Sequence, residues 1–359
     1  MISGSSLCFF NKIREGIEHA PPEKCVAPWK NGLHTVSDSF LRKESNAVTV
    51  GNETIGTVAI LLCTYQGERY LAEQIDSIIS QTYDNWVIYA SDDGSQDRTL
   101  EILRSFQKKL GTERLFIFSG PQQGYASNFV SLVKNQNIVA DYYAFCDQDD
   151  IWSADKLCVA IQWLKRNTTD IPSLYCGRTA LVNESGVKIG HSPLFKYPPS
   201  FKNALVQSLA GGNTMVFNHA LKKIASVTVD SEIISHDWWF YILATACGGQ
   251  VFYDFESHVS YRQHSDNVIG ANAGVISGLS RLKKMLGGRL LEWNRRNLKA
   301  VELLKGRMPP ANLMVLENFE RARCSPLLRR CVFLMRSGVY RQTLKGNLAL
   351  WIAVFLNRI

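Results

Sequence analysis

The run Thr57–Tyr65, TVAILLCTY, most constrains the fold. Val58 to Cys63 is unbroken apolar sequence with no polar face to show to water, so it reads as a strand covered on both sides. Such strands belong to parallel sheets, where crossover helices cover both faces. The following residues supply that alternation. ERYLAEQIDSIISQTY places Leu71, Ile75, Ile78 and Ile79 on one helical face. WVIYA is a second strand running into SDDGS, and RTLEILRSFQKKL a second helix with Leu100, Leu103 and Phe106 inward. RLFIFSG, SNFVSLVKNQ and YYAFC continue as strand, helix and strand, the last ending at DQDD. The pattern predicts right-handed βαβ units and an α/β fold with a mainly parallel sheet flanked by helices.

From about Ser173 the order is less regular. SLYCGRTALV, NTMVF and QVFYDF read as strands, HDWWFYILATAC as a helix, and VSYRQH closes this part. Residues 1–55 are weakly patterned, with Pro21-Pro22 and few periodic apolar positions. The expected organisation is an N-terminal extension over 1–55, an α/β domain over 56–270 and a basic amphipathic helical tail over 271–359.

Charge separates the last two regions. The chain carries a formal +8, yet Val275–Ile359 holds 17 Lys/Arg against 4 Asp/Glu, and the remainder 23 against 28. Arg281, Lys283, Lys284, Arg289, Arg295, Arg296, Arg329, Arg330, Arg336, Arg341 and Lys345 are interleaved with apolar residues. The closing LALWIAVFL is far short of the roughly 18–20 apolar residues a spanning helix needs, and so is every other apolar run. Basic amphipathic helices with Trp351 and Phe355 suit an anionic membrane face. Helices packed on the α/β domain with solvated Lys and Arg account for the pattern equally well. No nucleic-acid partner is expected, because no recognised binding motif is present. Nine cysteines, an odd number without a C-x-x-C pair, fit buried free thiols in a reducing compartment, and no zinc site is expected. The N-terminus lacks a basic stretch followed by a long apolar one, so a cytoplasmic location is expected.

In an open parallel sheet, ligands bind beyond the carboxyl ends of the strands. That rule selects the loops 63–68, 91–95, 120–124 and 147–150, two of which carry clustered carboxylates. Like charges so close repel unless a cation joins them or a proton is retained. Hard oxygen donors favour Mg²⁺ or Mn²⁺, and Mg²⁺ is usually shared with substrate phosphates, so DQDD predicts a metal–diphosphate site. A helix cap at Asp150 would explain one aspartate of the three. Asp92-Asp93-Gly94-Ser95 is either a plain turn or a carboxylate that accepts from a base or ribose. Gly211-Gly212-Asn213 either lets backbone approach a sugar or forms a simple turn. The lack of G-x-G-x-x-G argues against NAD, and the lack of G-x-x-x-x-G-K-[ST] against a P-loop.

Five motifs in order, CTYQGERYLAEQIDSIISQTY, SDDGSQDRTLEIL, CDQDDIW, HDWW and YRQH, resemble the inverting GT-A glycosyltransferases of family 2. The resemblance is greatest to the rhamnosyltransferase-like members that build bacterial surface polysaccharides. It runs from about Thr57 to His264 and continues weakly into the basic tail. It implies a GT-A fold and a set of roles. Thr64, Tyr65 and Glu68 would line the nucleotide, and Asp93 would read the pyrimidine ring. Asp147 would lie near the ribose, with Asp149 on the metal. His264 would complete the metal site or touch the diphosphate. Asp237 would be the catalytic base, with His236 standing where the family often has Glu. Asp237 also reads as a helix N-cap, where the dipole would keep it ionised. Trp238 and Trp239 read as an acceptor-sugar platform, with Gly212 and Asn213 near the sugar, or with at least one of the two in the core, since adjacent helical residues face different directions. Arg262 reads as a phosphate partner or a solvated charge.

The implied reaction is metal-dependent, inverting transfer of a sugar, rhamnose among the candidates, from a dTDP- or UDP-linked donor. The acceptor would be a hydroxyl of a growing surface polysaccharide or lipid-linked glycan, met by a peripheral enzyme at the inner face of the cell membrane. Two other readings are a nucleotidyltransferase and a non-catalytic nucleotide-sugar-binding protein. The first would typically show a Gly-rich, Lys-containing loop after strand one, which CTYQGERY lacks. The second would be marked by loss of Asp149 or Asp237, and both are present.

Overall fold

The computed structural model describes residues 56–228, 233–264 and 290–359. The expected N-terminal extension and the basic segment holding Arg281, Lys283, Lys284 and Arg289 lie outside the described residues. All described residues belong to one unit, Val50–Ile359.

The apolar run of the opening strand becomes β1 (Val58–Thr64), buried along its whole length. Its side chains alternate between two cores, as strand geometry requires. Val58, Ile60 and Leu62 face one core, and Ala59, Leu61 and Cys63 the other. The first core is closed by α1 (Leu71–Ile79), α2 (Thr99–Leu110) and α4 (Lys156–Leu164). The second is closed by α3 (Tyr125–Lys134), the short α5 (Phe201–Ala204), α6 (His219–Thr228) and α7 (His236–Ala246).

β1 lies between β2 (Trp86–Asp92) and β4 (Tyr142–Asp147), with β3 (Leu115–Ser119) beyond β2, all parallel. Register sets Thr64 opposite Asp92, and Cys63 opposite Asp147, so these strand ends finish level. Past β4 the sheet changes sense. β8 (Val216–Asn218) is antiparallel to both β4 and β6 (Ser173–Val182). β6 then pairs in parallel with β9 (Gln250–Arg262), whose far edge carries β5 (Ile151–Trp152), and β7 (Lys188–His191) pairs with β6. The structure thus has the expected mainly parallel sheet between helices. QVFYDF and VSYRQH, expected as separate segments, join in the single long strand β9, with irregular register opposite Gly177–Ala180 of β6.

α7 is apolar on every side, the pattern of a helix meant for the interior. Every residue in it except Asp237 is buried.

The basic region forms α8 (Leu290–Val301), α9 (Pro310–Cys324), α10 (Leu327–Ser337) and α11 (Leu344–Phe355). Leu298, Leu304, Leu316, Phe319, Leu350 and Val354 share the second core with Phe145, Phe217 and Trp239. The C-terminal helices therefore pack on the α/β body. No helix among the described residues is long and apolar enough to cross a membrane. The seven described cysteines are all free, and Cys63, Cys146, Cys158 and Cys176 are buried.

Candidate active site

The loop after β1 is held from both sides. Its Tyr65 N–H donates to Gln148 Oε1 at 2.8 Å, and Gln148 Nε2 donates back to the Tyr65 carbonyl at 2.9 Å. A Cβ at Gly67 would run into the same Gln148 amide, which is why a glycine stands there. From the other side, the N–H groups of Gln66, Gly67 and Glu68 donate to Ser95 Oγ, Thr99 Oγ1 and Asp97 Oδ2. The Glu68 carboxylate accepts the Arg98 N–H at 3.0 Å, at the mouth of α2. Tyr65 itself projects, 57% exposed, at the rim.

In Asp92-Asp93-Gly94-Ser95 the two carboxylates face different ways. Asp92 accepts from Thr64 Oγ1 at 2.8 Å, from Ser95 Oγ at 2.6 Å and from the Ser95 N–H at 2.9 Å. Asp93 turns toward the next loop, accepting the Gln122 N–H at 2.6 Å and the Gly124 N–H at 3.0 Å. Each carboxylate oxygen has a second lone pair, so Asp93 keeps capacity for a further donor.

DQDD lies at the end of β4. Burial, reinforced by Asp149 and Asp237 and partly offset by Lys156, pushes the Asp147 carboxyl up to about 7. The charges of Asp147 and Asp237 also reach the Tyr125 hydroxyl, raised first by burial. The carboxylate on the first turn of α7 is therefore near enough to the one at the end of β4 for each charge to oppose the other. The N-cap of α7 is Ser235, and Asp237 is the second residue of the helix, a correction of two positions to the expected cap. It still lies where the positive end of the dipole favours a carboxylate.

Asp149 Oδ2 is 2.8 Å from His264 Nε2. Its backbone carbonyl accepts Arg262 Nε at 3.1 Å. Arg262 is buried and otherwise committed to the Glu184 carbonyl at 2.6 Å and Glu73 Oε2 at 2.5 Å. Here it is a clamp on the DQDD loop, neither a solvated charge nor a group turned to a ligand. Asp150 is fully buried, accepts from Asn213 Nδ2 at 2.6 Å and does not cap α4, which corrects the cap expectation. Burial first, then Asp149 and Asp147, hold its carboxyl well above the usual range. Lys156 lies beneath, 1% exposed, its ammonium 3.1 Å from the centre of the Trp152 ring; burial lowers it to about 7.

Gly211-Gly212-Asn213 opens a tight turn just before β8. A Cβ on Gly212 would collide with the His236 ring. Trp238 lies in the core, its Nε1 donating to the Ala204 carbonyl at 2.7 Å and its ring edge-on to Trp293. With both faces covered it offers no platform to a sugar, and the core reading is the one observed.

Sequence reasoning missed Gln148, Glu73, Lys156 and the Asp150–Asn213 bond. Gln148, Glu73 and Asp150 find their partners 63 to 189 residues away along the chain, so no local pattern announces them, and Lys156 is set apart by its burial.

The site thus gathers carboxylates that repel one another beside the His264 imidazole. Among the described residues, no three His, Cys, Asp or Glu side chains converge to hold a metal unaided. Asp149 and His264 supply one hard oxygen and one nitrogen, a set that fits a cation sharing its remaining positions with a substrate's phosphates.

The model of the family "Glycosyl transferase family 2" matches residues 59–225. A dTDP-rhamnosyl transferase of Shigella flexneri, RfbG, is 30% identical over 254 residues, 67% of this chain and 83% of that protein. The chain belongs to glycosyltransferase family 2. The matched region holds the strand ends that carry Thr64, Asp93, Asp147 and Asp149, and the chain is a glycosyltransferase that acts on a nucleotide sugar. A second family relative is the Escherichia coli UDP-Glc:alpha-D-GlcNAc-diphosphoundecaprenol beta-1,3-glucosyltransferase WfgD. It is 29% identical over 134 residues, 36% of this chain and 48% of that protein. Among solved structures, Staphylococcus aureus TarS in complex with UDP-GlcNAc aligns with a TM-score of 0.49 and 16% identity. That alignment covers 78% of this chain and 89% of the solved chain, TarS 1-349.

Proposed function

We propose that the enzyme transfers a sugar from a dTDP- or UDP-linked donor, with inversion, to a hydroxyl of a surface polysaccharide or lipid-linked glycan. The observation that supports this reading is that Asp149 and Asp237 both act on the Asp147 carboxyl at the level strand ends, with Asp237 the one residue of α7 that is not buried. The rhamnosyl donor named for the Shigella relative makes rhamnose the first sugar to try.

In this reading Thr64, Tyr65 and Glu68 form the nucleotide-facing loop. Asp93 uses its remaining lone pairs on the base, and Asp147 lies beside the ribose. Asp149 and His264 would hold Mg²⁺ or Mn²⁺, which when bound stabilises the charge gathering on the departing diphosphate. Asp237 is the only side chain of α7 not buried, and takes the acceptor proton as the oxygen attacks C1. A single in-line displacement follows, with inversion at C1 and no covalent enzyme intermediate. Gly212 and Asn213 hold the floor beneath Asp237 through His236 and Asp150. The enzyme would work in the cytoplasm, peripheral to the inner face of the membrane that carries the acceptor.

The test is release of nucleoside diphosphate from a donor panel, with and without Mn²⁺, by the wild type and Asp237→Asn. We expect metal-dependent turnover of one donor. Asp237→Asn should lower kcat about 10²–10⁴-fold, the usual worth of a general base, with nucleotide affinity nearly unchanged. Wild-type turnover by Asp237→Asn would falsify the base assignment, and no turnover of any donor would overturn the reading as a whole.

A further inference from the structure

From Arg321 to Ile359 the chain has eight Lys/Arg and no Asp/Glu. The structure sorts these cations into two groups. Arg323, Arg330 and Arg341 turn inward and donate to the carbonyls of Ile359, Val354 and Val206, tying the C-terminal helices together and to the body. Arg321, Arg329, Arg336, Lys345 and Arg358 remain exposed.

The apolar residues of the same helices divide in the same way. α10 buries Leu334, and α11 buries Leu350, Ala353 and Val354. The opposite side of α10 shows Leu328, Val332 and Met335 to solvent, at i, i+4 and i+7, with Leu328 82% exposed. α11 does the same with Leu344, Leu348 and Phe355, and Leu344 is also 82% exposed. Each helix is thus apolar on two sides, one spent on the core and one left outward beside arginine or lysine. A face meant only for water gains nothing from leucines at helical spacing, and a face meant for an ordinary protein partner would not exclude every acidic residue over 39 positions.

We propose that the outward faces of α10 and α11 dock on an anionic lipid bilayer. Leu328, Val332, Met335, Leu344 and Leu348 enter the boundary between headgroups and acyl chains, while Arg329, Arg336 and Lys345 engage the lipid phosphates. The proposal gives the lipid-linked acceptor of the preceding reading its place of encounter and rests on that reading for its purpose. Binding to lipid itself needs no donor and no catalysis.

The full chain is floated with vesicles of phosphatidylcholine, with and without phosphatidylglycerol, at low and high salt. Wild type floats with the anionic vesicles at low salt and stays behind with phosphatidylcholine alone. Leu328→Asn/Met335→Asn loses flotation. Arg329→Gln/Arg336→Gln weakens it about thirtyfold, from about fivefold for each cation near such a surface. Both variants keep wild-type far-ultraviolet dichroism and melting temperature, and Asp237→Asn floats like wild type, so failure of the catalytic reading and of this one are told apart. Undiminished flotation by either double variant overturns the proposal, as does flotation equal on neutral vesicles. A wild-type dimer in sedimentation that Leu328→Asn/Met335→Asn converts to monomer also overturns it, by making the face an interface between copies.

Discussion

Both ring nitrogens of His236 lie buried without a hydrogen-bond partner. The ring stacks on Phe129 at 4.1 Å, meets Phe145 edge-on at 4.7 Å and presses on Gly212. Burial drives its basicity down to about 4, against the opposing pull of Asp237. It is therefore a neutral aromatic plate that locks β4, α3 and the Gly212 turn beneath the one unburied carboxylate of α7. The unfolded chain takes up a proton on this histidine as pH falls below about 6.5, and the folded chain does not until about 4. Across that window the unfolded state binds more protons, so the histidine's share of stability declines as pH falls. His236→Phe removes two desolvated nitrogens, a gain of about 1–3 kcal/mol, and adds a ring atom against Gly212, a cost of about the same size. The absolute melting temperature thus shifts little at pH 7. The gap between variant and wild type should widen in the variant's favour from pH 6.5 to pH 4.5, read by thermal melting. A constant gap would mean that the imidazole titrates normally in the fold.

At the scale of elements, the end of β9 controls the DQDD loop. Arg262 fans its guanidinium to three acceptors on three segments: the Asp149 carbonyl, the Glu184 carbonyl and the Glu73 carboxylate. It also stacks 4.5 Å from the centre of the Tyr70 ring. Two residues on, His264 meets Asp149 directly. One strand terminus therefore positions both the backbone and the side chain of the proposed metal ligand. Lysine carries the same charge but cannot reach three divergent acceptors with one nitrogen. Arg262→Lys should cost about 2 kcal/mol in chemical denaturation and weaken Mn²⁺ binding about tenfold by calorimetry. A loss of stability with full Mn²⁺ affinity would reduce Arg262 to a purely structural bond. The sequence marked Arg262 by its nearness to His264, but its partners lie 78 to 189 residues upstream and are brought near only by the crossing of β9 beside β5 and β6.

At the scale of the whole molecule, the charge division of the chain does not coincide with a division of its core. Phe319 of α9 is fully buried in the same cluster as Phe145, Trp239 and Phe240. Phe319→Ala should cost about 3–5 kcal/mol, a large fraction of the roughly 5–15 kcal/mol that holds a domain together. We expect the variant and the wild type each to unfold in urea in one step, with tryptophan fluorescence and far-ultraviolet dichroism coincident. A separate early transition in the variant would show the C-terminal helices to be an independent unit.

The βαβ order, the strand ends and the placing of Thr64, Asp93, Asp147 and Asp149 on one rim were legible from sequence alone. Continuous apolar runs and helical periodicity are local, and the parallel sheet turns them into a fixed side for ligands. Asp237 was singled out by its motif, and the structure sets it in the first turn of α7 as the one residue of that helix not buried. What only the tertiary structure decided is everything that depends on contacts between distant segments. Trp238 and Trp239 both went to the core because α7 is enclosed on all sides, leaving Asp237 alone to emerge. Asp92 and Asp93, adjacent in the chain, were given opposite tasks by two different loops. The basic helices received their inner face from the second core and kept an outer one, a choice that composition, which weighs every arginine and leucine alike, cannot express.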